Sequence, residues 1–320
     1  YIMMCYNTNA PNNLVSFTVT PVVESTSRQY LFTSDDRVID LEENLSDYEQ
    51  DRSWNLIGNP YPCYFDTRYL DTESPFMVWN SYSRKYEALS PVDDSYILNP
   101  GEAFFIQRPI DSESLTFLRG GRQTHRNPNN LTVQDAPMRG TVERRVYNIT
   151  VKTDSLTDRT RVVINPKAAM GYELSRDAAR FRSENMDMPG IWSVSDGIEY
   201  AINERPEENG EVSLSLYLPK TGYHTIGIGA GSYSGPVVIV DLKEGNRSVI
   251  TADQGYTFYS ESGSVNDRFI IILESGNDVT GIEQITSGDN DADVYNISGQ
   301  KANGTENGIL IREGKKILNK

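Results

Sequence analysis

The chain has 320 residues, of which 38% are hydrophobic and 10% aromatic. That is enough apolar material for packed cores, with room for two ordinary domains and a tail at roughly 150 residues per domain. Thirty Lys and Arg against 45 Asp and Glu give a formal net charge of −15, a negative field that repels nucleic acid and anionic lipid and argues against both as partners. Two cysteines, Cys5 and Cys63, exclude a disulfide-dense scaffold and any multi-cysteine zinc pattern, and leave open two buried thiols or a single bridge. No apolar run approaches the roughly 18 residues of a membrane span; the longest, FIIIL at residues 269–273, reads as a buried strand. The first residue is Tyr1 rather than Met, which points to a processed or truncated start.

Strand signals dominate from the N-terminus onward. Short β-branched and aromatic runs are broken by Asn-Pro, Asp-Gly, Asn-Gly and Ser-Gly dipeptides, the punctuation of an all-β chain. A first β-sandwich-like domain is expected over residues 1–124, with a weak short helix at 45–50. In WNLIGNPYP at 54–62, Pro60 and Pro62 fix φ and bar helix from the residue before each, so a rigid turn should follow a strand at 54–57. An X-Pro bond there is a candidate for cis. Trp79, Tyr82 and Tyr86 lie around the polar turn at 83–85; exposed aromatics on a β-surface stack on sugar rings or fill partner pockets, whereas buried ones belong to a core or strand edge. The pairs Asp35-Asp36 and Asp93-Asp94 read as solvated loop charges.

A polar linker is expected at 125–141, carrying His125, and a second β-sandwich or jelly-roll-like domain at 142–275, with roughly ten short strand candidates. Leu174, Ala178 and Phe181 share a face at helical spacing, which predicts a short helix over 174–183. Asp196-Gly197 should make a two-residue type I′ hairpin turn that sets Trp192 opposite Ala201. In EVSLSLYL at 211–218, Val212, Leu214, Leu216 and Leu218 alternate as a half-buried strand requires. His224 falls in phase with Ile226 and Ile228 and reads as a structural histidine. GIGAG at 227–231 lacks the Lys-Ser/Thr and the helix of a phosphate loop and reads as a close-packed strand. A second linker is expected at 276–292; Asp289, Asp291 and Asp293 alternate there but lack the glycine and distal Glu of a calcium loop. Residues 293–320 form a β-module too small to bury a core alone.

Three fragments, WNLIGNPYP at 54–62, VWN at 78–80 and LNPGEAFFI at 98–106, resemble a module near the C-termini of large secreted and cell-surface proteins of Bacteroidetes bacteria. The ending, VYNISGQ at 294–300 and NGILIREGKKI at 307–317, is similar to their C-terminal sorting domain of the type IX secretion (Por) kind. YELSRDAA at 172–179 and NDRFI at 266–270 look like parts of the β-domain that precedes such a tail. The resemblance implies a secreted or outer-membrane-associated surface protein; the catalytic domains of such proteins, when present, usually lie upstream of these modules. It also gives Asp154-Ser-Leu156 a second reading, as a short O-glycosylation pattern, beside that of an ordinary turn.

No Gly-x-Ser-x-Gly elbow, no serine with a neighbouring histidine and carboxylate, and no fixed carboxylate pair is legible. The expectation is a non-catalytic exported surface segment, structural or adhesive, with no catalytic residue, metal or cofactor, and with secretion or attachment machinery as the partner of its tail. The alternative is a carbohydrate-binding module, with a glycan or a host or cell-surface protein as ligand and Trp79, Tyr82 and Tyr86 as the contact residues.

Overall fold

The computed structural model describes residues 36–123, 144–181, 185–206 and 210–273, with the strand backbone of 294–296, 301–302, 308–312 and 315–319. Every regular element among them is a strand or a short 3-10 turn, so the all-β expectation holds. No helix among the described residues is long and apolar enough to cross a membrane.

The first body contains β1 (Arg37–Asp40), β2 (Trp54–Gly58), β3 (Tyr64–Asp66), β4 (Phe76–Asn80), β5 (Lys85–Leu89), β6 (Ile97–Leu98), β7 (Ala103–Gln107), β8 (Ser114–Phe117) and β9 (Arg122–Gln123). They form a four-stranded sheet ordered β2-β7-β4-β5, a three-stranded sheet β6-β3-β9 and the pair β1-β8. Ile57, Phe76, Val78, Phe104 and Ile106 leave one face of the four-stranded sheet and meet Phe65, Leu70, Leu98, Leu115 and Phe117 in one core. Burying a side chain of this size stabilises by about 1.5–3 kcal/mol.

Two of the family-like fragments meet here. Asn59 receives a bond from the Tyr61 amide (3.1 Å), donates through Nδ2 to the carbonyls of Cys63 (2.9 Å) and Asn99 (3.0 Å), and donates its own amide to Glu102 O (2.8 Å). Tyr61 is buried, donates to Phe117 O at 2.9 Å and stacks on Phe65. The NPYP turn is thus an internal brace whose aromatic points into the core. No peptide bond among the described residues is cis, which corrects that expectation: the turn is held by the Asn59 side chain instead.

The second body contains β10 (Arg145–Thr153), β11 (Leu156–Ile164), β12 (Ala178–Ala179), β13 (Gly190–Ser195), β14 (Ile198–Arg205), β15 (Glu211–Leu218), β16 (Gly222–Ile228), β17 (Val237–Asp241), β18 (Asn246–Ile250), β19 (Tyr256–Ser260) and β20 (Gly263–Leu273). These strands make one sheet in the order β18-β17-β20-β15-β13-β14-β11-β10-β16-β19, with β12 on β14. The sheet curls until its ends meet. Asp241, fully buried on β17, takes a fork from Arg268 of β20 (3.0 and 2.8 Å) and a bond from the Tyr256 hydroxyl of β19 (3.0 Å). Burial opposes a charge on Asp241, but the Arg268 fork and the Tyr256 hydroxyl outweigh it and hold the carboxyl below its ordinary range. A bulge aims Arg268: the β15–β20 register shifts between Leu214↔Phe269 and Leu216↔Val265, with Asp267 at φ 55°.

Val212, Leu214, Leu216 and Leu218 are all buried, as their alternation requires. The Asp196-Gly197 turn closes β13 on β14, with φ of 49° and 78° and the register Ser193↔Tyr200 to Ser195↔Ile198. The paired residues stop one step short of Trp192 and Ala201. Asp154-Ser155 likewise makes a two-residue turn between paired Thr153 and Leu156. His224 is buried, and Nδ1 lies 2.8 Å from Thr153 Oγ1; burial lowers its pKa. The helix expected over 174–183 does not form. Its described residues make a turn and then β12, with Leu174 packed beside Tyr172 and Tyr200 while Ala178 and Phe181 pack against the first body. The helix at 45–50 is reduced to a 3-10 turn at Glu49–Asp51.

The C-terminal module is a four-stranded antiparallel sheet of β21 (Val294–Asn296), β22 (Lys301–Ala302), β23 (Gly308–Arg312) and β24 (Lys315–Asn319), ordered β22-β21-β23-β24. The linkers at 125–141 and 276–292, Cys5, His125, Asp289, Asp291 and Asp293 lie outside the described residues. Cys63 is half-buried against the first core.

Candidate functional site: the seam and groove between the two bodies

The four-stranded sheet of the first body is apolar on both faces, a pattern that requires cover on both sides. Its second face, carrying Trp54, Met77, Tyr86, Ala88 and Phe105, is covered by Ala178, Phe181, Ala201 and Ile202 of the second body. Phe181 sits edge-on to Trp54 (4.6 Å between centroids), Tyr86 (5.3 Å) and Phe105 (5.7 Å). Such edge-to-face contacts add about 0.5–1.5 kcal/mol each beyond their buried area.

Charges flank this apolar plug. Arg161, 2% exposed, forks onto both Asp94 oxygens at 2.7 Å and donates its Nε to Asn148 at 3.0 Å. Arg144 links Asp93 of the first body (2.8 Å) to Glu204 of the second (2.7 Å), and Arg176 adds a second bond to Glu204 (3.0 Å). Lys85 pairs with Asp158, Arg159 donates to Ala88 O (3.1 Å), and the Tyr172 hydroxyl donates to Gln107 Oε1 (2.5 Å). Asp93 and Asp94, expected as solvated loop charges, are instead anions that the first body contributes to this seam. Their partners lie some 50 to 67 residues away, beyond any local pattern.

Burial opposes ionisation of Asp94, yet the Arg161 fork, Arg159 and the Ser90 amide outweigh it, so the carboxyl sits below its ordinary range. Arg144 is held above its own by Asp93 and Glu204 against the cost of burial. Asp177 goes the other way. Burial pushes it up to about 8, opposed by the Glu173 and Glu204 amides and assisted by the negative charge of Glu204 and Glu173.

Beside the plug the two bodies leave an open groove of about 770 Å³, within the ~300–1,000 Å³ range of small-ligand clefts. One wall is β5 with the turn before it, including Asn80, Tyr82, Ser83 and Tyr86. The other comprises residues 155–159 and the Arg180, Asn185, Met188 and Trp192 side. Arg180 lies 3.2 Å over the Trp192 ring and pairs with Glu199 at 2.7 Å. Gly190 makes room for that ring: a Cβ there would come within 2.2 Å of it.

The three aromatics singled out by sequence take different places. Tyr82 is 90% exposed at the groove rim, and Trp79 is 49% exposed. Tyr86 is half-buried in the plug, edge-on to Trp79 (5.1 Å) and Phe105 (5.7 Å). Sequence reading missed Ser83, Arg180 and Trp192. The first is an ordinary turn serine; the other two were read only as parts of a helix over 174–183 and of the Asp196-Gly197 hairpin. No group of His, Cys, Asp and Glu among the described residues is arranged to hold a metal. Comparison of the chain with models of known protein families, with curated proteins and with solved structures finds no match.

Proposed function

We propose that this chain is a non-catalytic, exported cell-surface segment in which the two β-bodies act as one stiff structural or adhesion unit and the C-terminal module serves export or attachment. The observation that carries the stiffness is the seam. An apolar plug flanked by the Arg161–Asp94 fork and the Asp93–Arg144–Glu204 chain fixes one relative placement of the bodies, as hydrogen-bonded ion pairs with restrictive geometry do. The placement of the chain at the cell surface rests on the resemblance of residues 54–62, 78–80, 98–106 and 294–317 to secreted Bacteroidetes proteins. The partner of the tail is then the secretion or attachment machinery.

The test is surface accessibility in the native cell. An internally tagged full-length chain is expected to be cleaved by protease added to intact cells, and removal of 293–320 is expected to trap it inside. Resistance to protease until lysis contradicts the reading. A second reading, a carbohydrate-binding module, is favoured by one feature: the groove opens beside Tyr82 and Tyr86, with Trp79 packed against Tyr86.

A further inference from the structure

We infer that the C-terminal module rests on the second body, against the outer face of β18, β17 and β20. This goes beyond the export reading and does not depend on it.

Val237, Ile239, Phe269, Ile271 and Leu273 belong to the inner core of the second body, so the residues alternating with them lie on the outside. In register these are Val249, Val238 and Ile272 in one row, and Val240 and Ile270 in the next. Cross-strand partners share a face, so the five make one continuous apolar patch. Glu211, opposite Ile272, and Arg247, opposite Val240, rim it. Antiparallel sheets with an open face alternate apolar with polar residues; here both faces are apolar. Val238 is 5% exposed, Val240, Ile270 and Ile272 are half-buried, and Val249 is 54% exposed. None of the five joins a hydrophobic cluster among the described residues. A contiguous apolar face of this kind marks a contact surface. The first body sets the precedent, since its own doubly apolar sheet is covered by the second body.

Need, reach and charge all favour the C-terminal module as the cover. Residues 293–320 hold neither cysteine nor histidine, so no disulfide or histidine-held metal staples so small a sheet, and packing on another surface is the remaining route to stability. Its register sets Ile309, Ile311 and Leu318 at one series of alternate positions and Val294, Leu310 and Ile317 at the other. This sheet too carries apolar residues on both faces. β20 ends at Leu273, next to Ile272 of the patch, and 20 residues separate Leu273 from Val294. At 3.3–3.6 Å per residue they span up to about 70 Å, a tether that holds the module at high effective concentration beside the patch. Residues 294–320 carry five Lys and Arg against two Asp and Glu, and the rest of the chain 25 against 43. The module is therefore attracted to its own chain, whereas the acidic bodies of two copies repel each other, which disfavours a second copy on this face.

The experiment is hydrogen exchange of the full chain, read by mass spectrometry over β23 and β24. Val249→Lys puts a cation on the patch at an exposed position, and Val240→Thr makes the patch more polar at nearly constant volume. Tyr223→Lys, at a residue of β16 that is 74% exposed, is the control, and the amides of β15 report whether the second body stays folded. The module amides are expected to exchange at least tenfold faster than in the parent in Val249→Lys, and at least threefold faster in Val240→Thr. They are expected to keep the parent rate in Tyr223→Lys and on tenfold dilution, with β15 unchanged throughout. Module amides that exchange alike in the parent and in both patch variants overturn the inference, because the module then stands alone or rests elsewhere. Protection that falls on dilution overturns it in favour of a second copy. Neither result bears on the export reading, which protease accessibility in the cell tests separately.

Discussion

Arg161 of the second body grips both oxygens of Asp94 in the first, at 2.7 Å each, with the guanidinium 2% exposed. Removing one member of such a pair strands the other in a medium that does not solvate it, a loss of about 3–5 kcal/mol. Asp94→Ala is therefore expected to lower the thermal midpoint steeply. Asp154→Asn, at the exposed Lys220 pair, should change stability by less than about 1 kcal/mol. Thermal denaturation of the two variants side by side checks the contrast; equal effects contradict it.

The same pair sets the acid limb of stability. The Asp94 carboxyl is depressed in the folded chain, so its contribution is fully present above the unfolded value of about 3.9 and lost as pH falls through the depressed folded value. Asp241 behaves alike at the meeting of the sheet ends. Denaturant titrations should show stability falling below about pH 4, with a shallower fall in Asp94→Ala.

Asp177 has the opposite sign. Its folded pKa is raised to about 8, so its contribution is full below about 3.9 and is lost as pH rises toward 8. A carboxyl-carbon NMR titration is expected to place its midpoint near pH 8. A midpoint near 4 shows that the two backbone amides it accepts from solvate the charge fully.

Gly190 lies under the Trp192 ring, and an added Cβ would fall 2.2 Å from the nearest ring atom. Gly190→Ala is expected to displace the indole from Arg180, cost about 1–3 kcal/mol by overpacking and shift the fluorescence maximum. An unchanged spectrum and midpoint contradict the packing described.

Much of the fold was legible because it is written at short range. The alternation of Val212 to Leu218 and the Asp196-Gly197 turn each specify their local structure without distant partners. The seam was not legible, for two reasons. The spacing of Leu174, Ala178 and Phe181 fits a helical face, but Ala178 and Phe181 pack in the plug against the first body while Leu174 packs beside Tyr172 and Tyr200, and tertiary burial overrode a weak local period. Asp93-Asp94 read as an ordinary polar loop because the arginines that neutralise it arrive from strands far along the chain. At the site, Trp79, Tyr82 and Tyr86 were conspicuous as aromatics. Ser83 was not, since its place in the groove wall shows only once both walls are in place.

The central claim is that the two β-bodies open as one unit, and native-state hydrogen exchange of Met77→Ala tests it most directly. Met77 is 1% exposed in the plug, and its truncation should cost about 2–5 kcal/mol. The account predicts that core amides of β7 in the first body and of β15 in the second lose protection together and by the same amount. Loss confined to β7, with β15 protected as in the parent chain, would contradict it.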